Sequence, residues 1–264
     1  MSPDRWLDHA NPADLDALAQ ALSDGRLVAP YSAVDVQLTG AGPEAAEMLA
    51  GLGATDPAVI AWMLRRLSRE RRRAADRFAA AAQLVWSGAT EGAPSIRDTR
   101  MVLDGLFARA EQHVIVSTFV IYNGRAVFAP LARRMRERPG LRVEVYVNLT
   151  SKTGLAADEQ ADVDRYLEGF AREHWPEDVP LPHLYYDPES RKGGAARTSL
   201  HAKCVVVDSR WALVTSANFT EAAQERNIEA GVLLDHPKLA ESLSARFHAL
   251  RKAGRLRRMG PRSG

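Results

Sequence analysis

The sequence predicts an α/β protein: a mixed, largely parallel sheet flanked by helices and preceded by a small helical region. Three observations carry this. The first eighty or so residues place apolar side chains at helical spacing and hold no β-rich run. From Gln83 onward, β-rich runs alternate with helical stretches. Val205 to Val207 is a continuous apolar run that suits a buried central strand. The expected organisation is a helical region over 1–82, a catalytic domain over 83–252 and a basic tail over 253–264.

Taken in order, Asn11-Pro12 opens a helix, with Asn11 as cap and Pro12 in the first turn. Leu15, Leu18, Ala19 and Leu22 share a face, and Gly25 closes the element. Pro43 to Leu52 is a second helix, and Asp56-Pro57 opens a third. The third runs into seven arginines between Arg65 and Arg77, opposed only by Glu70 and Asp76. Such a stripe is either a solvated face or a contact for a phosphate backbone. Gln83 to Gly88 reads as a strand, and Ser95 as the cap of a helix with Asp98 three residues on. Val114 to Ile121 is strongly β-rich and is broken by Asn123-Gly124. A helix is expected over 129–138, a strand over 141–147, a helix over 158–174 and a short strand over 184–186. Pro188 to Thr198 reads as a loop. Strands over 211–214 and 228–234 and a helix over 237–252 complete the pattern.

Composition limits the functional classes. Hydrophobic content is 46% and net charge is only +2, but the basic residues are clustered. From Arg246 to the end there are seven Lys or Arg and no acidic residue. The single cysteine, Cys204, permits no internal disulfide, which points to a reducing, cytoplasmic setting. No apolar leader and no run of about eighteen apolar residues is seen, so neither a signal peptide nor a membrane span is expected.

The chemistry concentrates in one stretch: His201-x-Lys203, four residues, Asp208, seven residues, Ser216-x-Asn218. On a strand, His201 and Lys203 would point to the same side. The following turn would bring a hydroxyl and an amide into reach. That set suits a phosphate-like anion. His236-x-Lys238 also has the first spacing, but Leu243, Arg251 and Ala253 occupy its remaining positions. It is a decoy.

This pattern resembles the HKD motif of the phospholipase D superfamily, which implies that superfamily's nuclease-like fold. The resemblance extends to Glu229, twenty-eight residues after His201, where the family sets a carboxylate against the nucleophilic histidine. Thr215 departs from it, since the family usually has Gly before the Ser. The resemblance implies a phosphohistidine at His201, with Lys203 and Asn218 stabilising the non-bridging oxygens and Ser216 adding a hydrogen bond. Asp208 is carried as a candidate catalytic residue, although its expected work is to tie the strand end to its neighbours. No metal or other cofactor is implied.

One histidine cannot easily be both nucleophile and leaving-group acid. A single motif therefore implies a homodimer with a shared site. The helical preface, Leu84 to Gly88, the stretch Arg97 to Ala108 and the single motif together resemble one branch, the component of the DISARM anti-phage system. That implies a defence role beside a helicase and a DNA methyltransferase. The expected activity is metal-independent cleavage of DNA. Arg191, Lys192 and Arg197, just before the motif, are the expected substrate contacts. A phospholipase and a non-catalytic DNA-binding subunit are the alternatives.

Overall fold

The computed structural model describes residues 4–89, 97–151, 159–191 and 198–260. The chain divides into two units at Ala80/Ala81. The first is helical: α1 (Asp4–His9), α2 (Pro12–Ser23), α3 (Ala33–Gln37), α4 (Pro43–Gly51) and α5 (Pro57–Ala81). The Asn11 side chain accepts from the Asp14 N–H and Gly25 takes a φ of 69°, so both ends of α2 are made as the sequence expects. Leu15, Leu18, Leu49 and Ile60 are among the side chains that fill this unit's core.

The arginine stripe on α5 is partly spent inside this unit. The Arg71 guanidinium donates to the carbonyls of Leu7 and Ala10, within and just past α1. Arg72 pairs with Asp16 at 2.7 Å, and Arg65 donates to Gln20 and Ser23. Arg66 and Arg73 both reach Glu70. Much of the clustered charge thus ties α5 to its neighbours and to itself.

The second unit contains, in order, β1 (Ala82–Ser87), β2 (Arg97–Asp98), α6 (Thr99–Ala108), β3 (His113–Thr118), β4 (Ile121–Tyr122), α7 (Gly124–Glu137), β5 (Arg142–Val147), α8 (Glu159–His174), β6 (His183–Tyr186), β7 (Cys204–Val207), β8 (Trp211–Thr215), β9 (Phe219–Thr220), α9 (Glu221–Glu225), β10 (Glu229–Asp235), α10 (Pro237–Lys252) and β11 (Arg257–Arg258). Its mixed sheet has the order β11-β6-β5-β3-β7-β8-β10-β1-β2. β3, β5 and β6 run parallel, whereas β7, β8, β10 and β1 form an antiparallel run beside them.

Strand alternation sends side chains to two faces. Val114, Val116, Val145, Val205 and Leu213 pack with Leu106, Phe128 and Phe170 from α6, α7 and α8. Ile115, Tyr146, Val206 and Ala212 pack with Ala240 and Phe247 from α10. Cys204 belongs to this second layer, and burial pushes its thiol up to about 12. It is a small core residue.

Four local expectations change. The cap of α6 is Asp98, whose carboxylate accepts from the Met101 N–H at 3.1 Å; Ser95 lies outside the described residues. Asp98 also sits beside Trp86 in the β1–β2 pairing, so the helix starts where a strand ends. The helix α7 starts at Gly124, not Ala129, and carries Pro130 inside it. The cause is Asn123 in the left-handed region (φ 52°) followed by a glycine packed on His174, where an added Cβ would meet that side chain at 2.6–2.9 Å. The motif strand starts at Cys204, so His201 and Lys203 precede the ladder instead of lying on it. Finally, the described part of the basic tail, residues 253–260, is folded: Arg257 and Arg258 pair with Tyr186 and Tyr185, and Leu256 and Met259 are buried.

Candidate active site

The segment before β7 is fixed by its own backbone. The Ser117 hydroxyl donates to the Ala202 carbonyl at 2.9 Å, and the Thr215 N–H donates to the Lys203 carbonyl at 3.1 Å. The Leu200 N–H donates to the buried Asn148 side chain at 3.1 Å. These bonds fasten residues 200–203 to β3, to β8 and to the end of β5. His201 and Lys203 therefore keep a set position without ladder pairing.

The Lys203 ammonium lies 3.2 Å from each ring nitrogen of His201 and donates to the His201 carbonyl at 3.1 Å. An ammonium can only donate, so the nitrogen receiving it carries a lone pair. Partial burial lowers the Lys203 pKa, and the Glu229 charge opposes that shift. Phe119, immediately after β3, packs against the imidazole with ring centroids 4.8 Å apart and lies 5.9 Å from the ammonium. Nothing in the spacing of the motif signals Phe119. It becomes visible only once β3 is known to neighbour β7.

β8 and β10 bring the remaining groups. The Ser216 hydroxyl donates to the Glu229 carboxylate and accepts from the Ala230 N–H at 3.1 Å. The contacts at the His201 ring come from Lys203 and Phe119; the hydrogen bond found at Glu229 is to Ser216. The Asn218 side-chain oxygen is buried and has no partner, an orphan that is costly unless something else uses it. Thr215 is accommodated by its cross-strand neighbour. Gly231 is paired with it, and a Cβ there would stand 2.8 Å from the Thr215 Cβ. The Thr215 hydroxyl accepts from the Ala217 N–H at 3.0 Å and so braces the turn that delivers Ser216 and Asn218.

Two candidates turn out to serve the fold. Asp208 lies at the opposite end of β7 from Lys203, about 16 Å away at ~3.3 Å per residue. Its carboxylate accepts the N–H groups of Glu111, Gln112 and His113, each at 2.8 Å. It seals the β7 turn to the start of β3. Arg191, expected at the substrate, is 7% exposed, and its guanidinium grips the buried Asp162 at 2.7 and 3.1 Å. Lys192 and Arg197 lie outside the described residues. The decoy His236 caps α10 through its ring nitrogen and has no part in the site.

Beside His201 a cavity of about 400 Å³ opens, walled by Leu200, Leu243, Phe247 and Leu250, with Arg246 and Arg255 also lining it. The strand ends thus assemble an imidazole, an ammonium, a carboxylate–hydroxyl pair and an unpartnered amide oxygen at one place.

Such a set at the end of a mixed sheet defines a phospholipase D-like domain. The chain belongs to that family: the family described as cardiolipin synthase, PLD-like domain, matches residues 103–251, more than half of its length. It also resembles the DISARM protein DrmC of Bacillus paralicheniformis, at 25% identity over 146 residues. That match spans 54% of this chain and 52% of the relative, so the chain spans about half of that relative's length. Among solved structures, Nuc of Salmonella typhimurium, a phospholipase D family member, matches at 18% identity and a TM-score of 0.41, over 67% of this chain and 97% of that one. Phosphatidylserine synthase of Haemophilus influenzae matches at 15% identity and a TM-score of 0.45, over 75% of this chain and 47% of that one. No helix among the described residues is long and apolar enough to cross a membrane.

Proposed function

We propose that the protein is a metal-independent phosphodiesterase that cleaves DNA in anti-phage defence. The observation that carries this is the His201 imidazole held against the Lys203 ammonium at 3.2 Å, with Ser216 just after β8 and Glu229 at the start of β10. The unprotonated nitrogen attacks phosphorus, forming an N–P bond as the P–O bond to the leaving alcohol breaks. Lys203 and the Asn218 amide neutralise charge on the non-bridging oxygens. Water then cleaves the N–P bond, giving a phosphomonoester and restoring the imidazole.

The leaving alkoxide needs a proton, and His201 is occupied as nucleophile. A second copy of the chain across a two-fold axis would supply it from the partner's His201. The resemblance to the DISARM protein supports a place in a defence complex, beside a helicase and a DNA methyltransferase. The cavity walled by Leu200, Leu243, Phe247 and Leu250 supports a second reading, a phospholipid substrate whose apolar part lies against that wall.

The test uses purified protein in EDTA on DNA and on phosphatidylcholine vesicles, with His201→Ala alongside. DNA cleavage lost in the variant is the expected result. Lipid cleavage alone selects the second reading. Cleavage that survives His201→Ala removes the mechanism, and inactivity on both substrates favours a DNA-binding subunit. Mass in solution checks the dimer, which a strict monomer contradicts.

A further inference from the structure

The second notable cluster of charge lies at the other end of the sheet. His113 and Arg142 are paired where β3 and β5 begin, and Phe119 lies beyond the far end of β3. The two places are about 20 Å apart along the strand at ~3.3 Å per residue. Here a cavity of about 620 Å³ is lined by Arg142, His183, His248, Arg251, Lys252 and Arg258. Its volume falls in the range of small-ligand sites, about 300–1,000 Å³.

The cavity is built on a buried carboxylate. Glu144 is completely buried; it accepts from Arg251 at 2.6 Å and from the Tyr146 hydroxyl at 2.7 Å, and pairs with Arg142. Burial pushes its pKa up, but His113, the Tyr146 hydroxyl and the Arg251 charge hold it far below the usual carboxylate range. Its acceptor capacity is therefore used, and its effect is to fix two guanidinium groups in place. Arg251 is further held over the Tyr185 ring at 4.4 Å. His248 stacks on His113 with centroids 5.7 Å apart.

Two plainer explanations fall short. Arg251 and Lys252 sit in the last turn of α10, where cations offset the helix dipole. That leaves Arg142 on β5 and Arg258 on β11 unexplained, although they converge on the same space from separate strands. His113, Glu144 and His248 also bring three ligand-type atoms within 4.8 Å. A metal there would have to displace guanidinium groups from Glu144 while surrounded by positive charge.

We propose that this cavity is a second anion site that takes phosphate, either as a free or nucleotide phosphate or as part of a nucleic-acid chain. Four permanent cations face it against one saturated carboxylate. The guanidinium groups of Arg142 and Arg251 are already oriented, so binding costs little side-chain ordering. The pKa values of His183 and His248 are lowered, first by burial, then for His183 by Arg258 and Arg142 and for His248 by His113 and the Arg251 and Arg142 guanidinium groups, with the Glu144 charge opposing both, so an arriving dianion relieves a field already present. The site stands whether or not His201 acts on DNA.

The test compares the whole protein with a Lys252→Glu/Arg258→Glu double variant. Both residues are exposed on the rim, so Glu144 keeps its partners. Inorganic phosphate and a 5′-mononucleotide are titrated by calorimetry, and a labelled oligonucleotide by anisotropy at several salt concentrations. The expected result is at least about tenfold weaker binding in the variant, with a shallower salt dependence for the oligonucleotide. A loss confined to the oligonucleotide assigns the site to the nucleic-acid chain; a loss for the small phosphates as well assigns it to phosphate itself. Equal binding by both proteins, or no binding by the unmodified one, overturns the proposal. Hydrolysis of a small soluble phosphodiester is followed in parallel. It should be unchanged in the variant, and its failure in both proteins would count against the catalytic reading alone.

Discussion

The two ends of the β3–β7 strand pair hold similar residues in opposite states. At one end Asp208 accepts three backbone N–H groups and, close by, Glu144 is enclosed by guanidinium groups and a phenol. At the other end His201 is exposed, Lys203 rests against it, and the Asn218 oxygen is buried without a partner. The two carboxylates of the first set have spent their acceptor capacity on the fold, and what stays open at that end is the cations around them. In the second, the exposed imidazole and the ammonium beside it stay open to a ligand. Conserving charge type is not enough to mark a site; what matters is whether the capacity of each group is already used.

Four substitutions would break or sharpen that contrast. The largest effect is expected from His201→Ala, which should reduce phosphodiester cleavage by roughly 10³-fold or more while leaving the melting temperature unchanged. Steady-state rates and thermal melts check both halves. Asp208→Ala should do the reverse. It strands three N–H groups and should cost roughly 2–4 kcal/mol in denaturant unfolding, with activity per folded molecule retained. Glu144→Gln should cost about 1.5–3 kcal/mol, since it leaves guanidinium groups without their carboxylate. Because the Glu144 pKa is lowered on folding, its contribution is complete above the unfolded carboxyl range and fades as pH falls below about 4.5. Melts across that range should therefore show the unmodified protein losing stability faster on acidification than the variant.

The smallest effect concerns Lys203. Its lowered pKa means that the ammonium is lost at a lower pH than for an ordinary lysine. The alkaline limb of the kcat/KM profile should lie below that of a free lysine side chain. Glu229→Gln removes the charge that opposes the shift and should move the limb lower still. A limb that does not respond to Glu229→Gln would uncouple the two residues.

Much of this site is legible in the sequence because it is local. The spacing from His201 through Asn218 follows the tight β7–β8 hairpin, and Glu229 returns beside it on β10, the next antiparallel strand after the β9–α9 excursion. Phe119, Ser117 and Asn148 are not legible, because they arrive from strands distant in sequence. Glu144 misleads for another reason. It alternates with Val143 and Val145, so periodicity places it in solvent, whereas α10 covers that face and buries it with Tyr146. A strand covered on both sides hides its second face from a period-two reading. Arg191 misleads similarly: an arginine in a Gly-containing loop suggests a ligand contact until Asp162 on α8 is seen beneath it.

The short pairing of Arg257 and Arg258 with β6 also has a consequence for the chain's behaviour in solution. β6 stands next to last in the sheet, and these two residues cover its outer row of amides and carbonyls. Two positive charges on so brief a margin repel any further strand. Removing residues 253–264 would bare that margin together with the surface now covered by Leu256 and Met259. The expected result is sheet-to-sheet self-association, visible by light scattering.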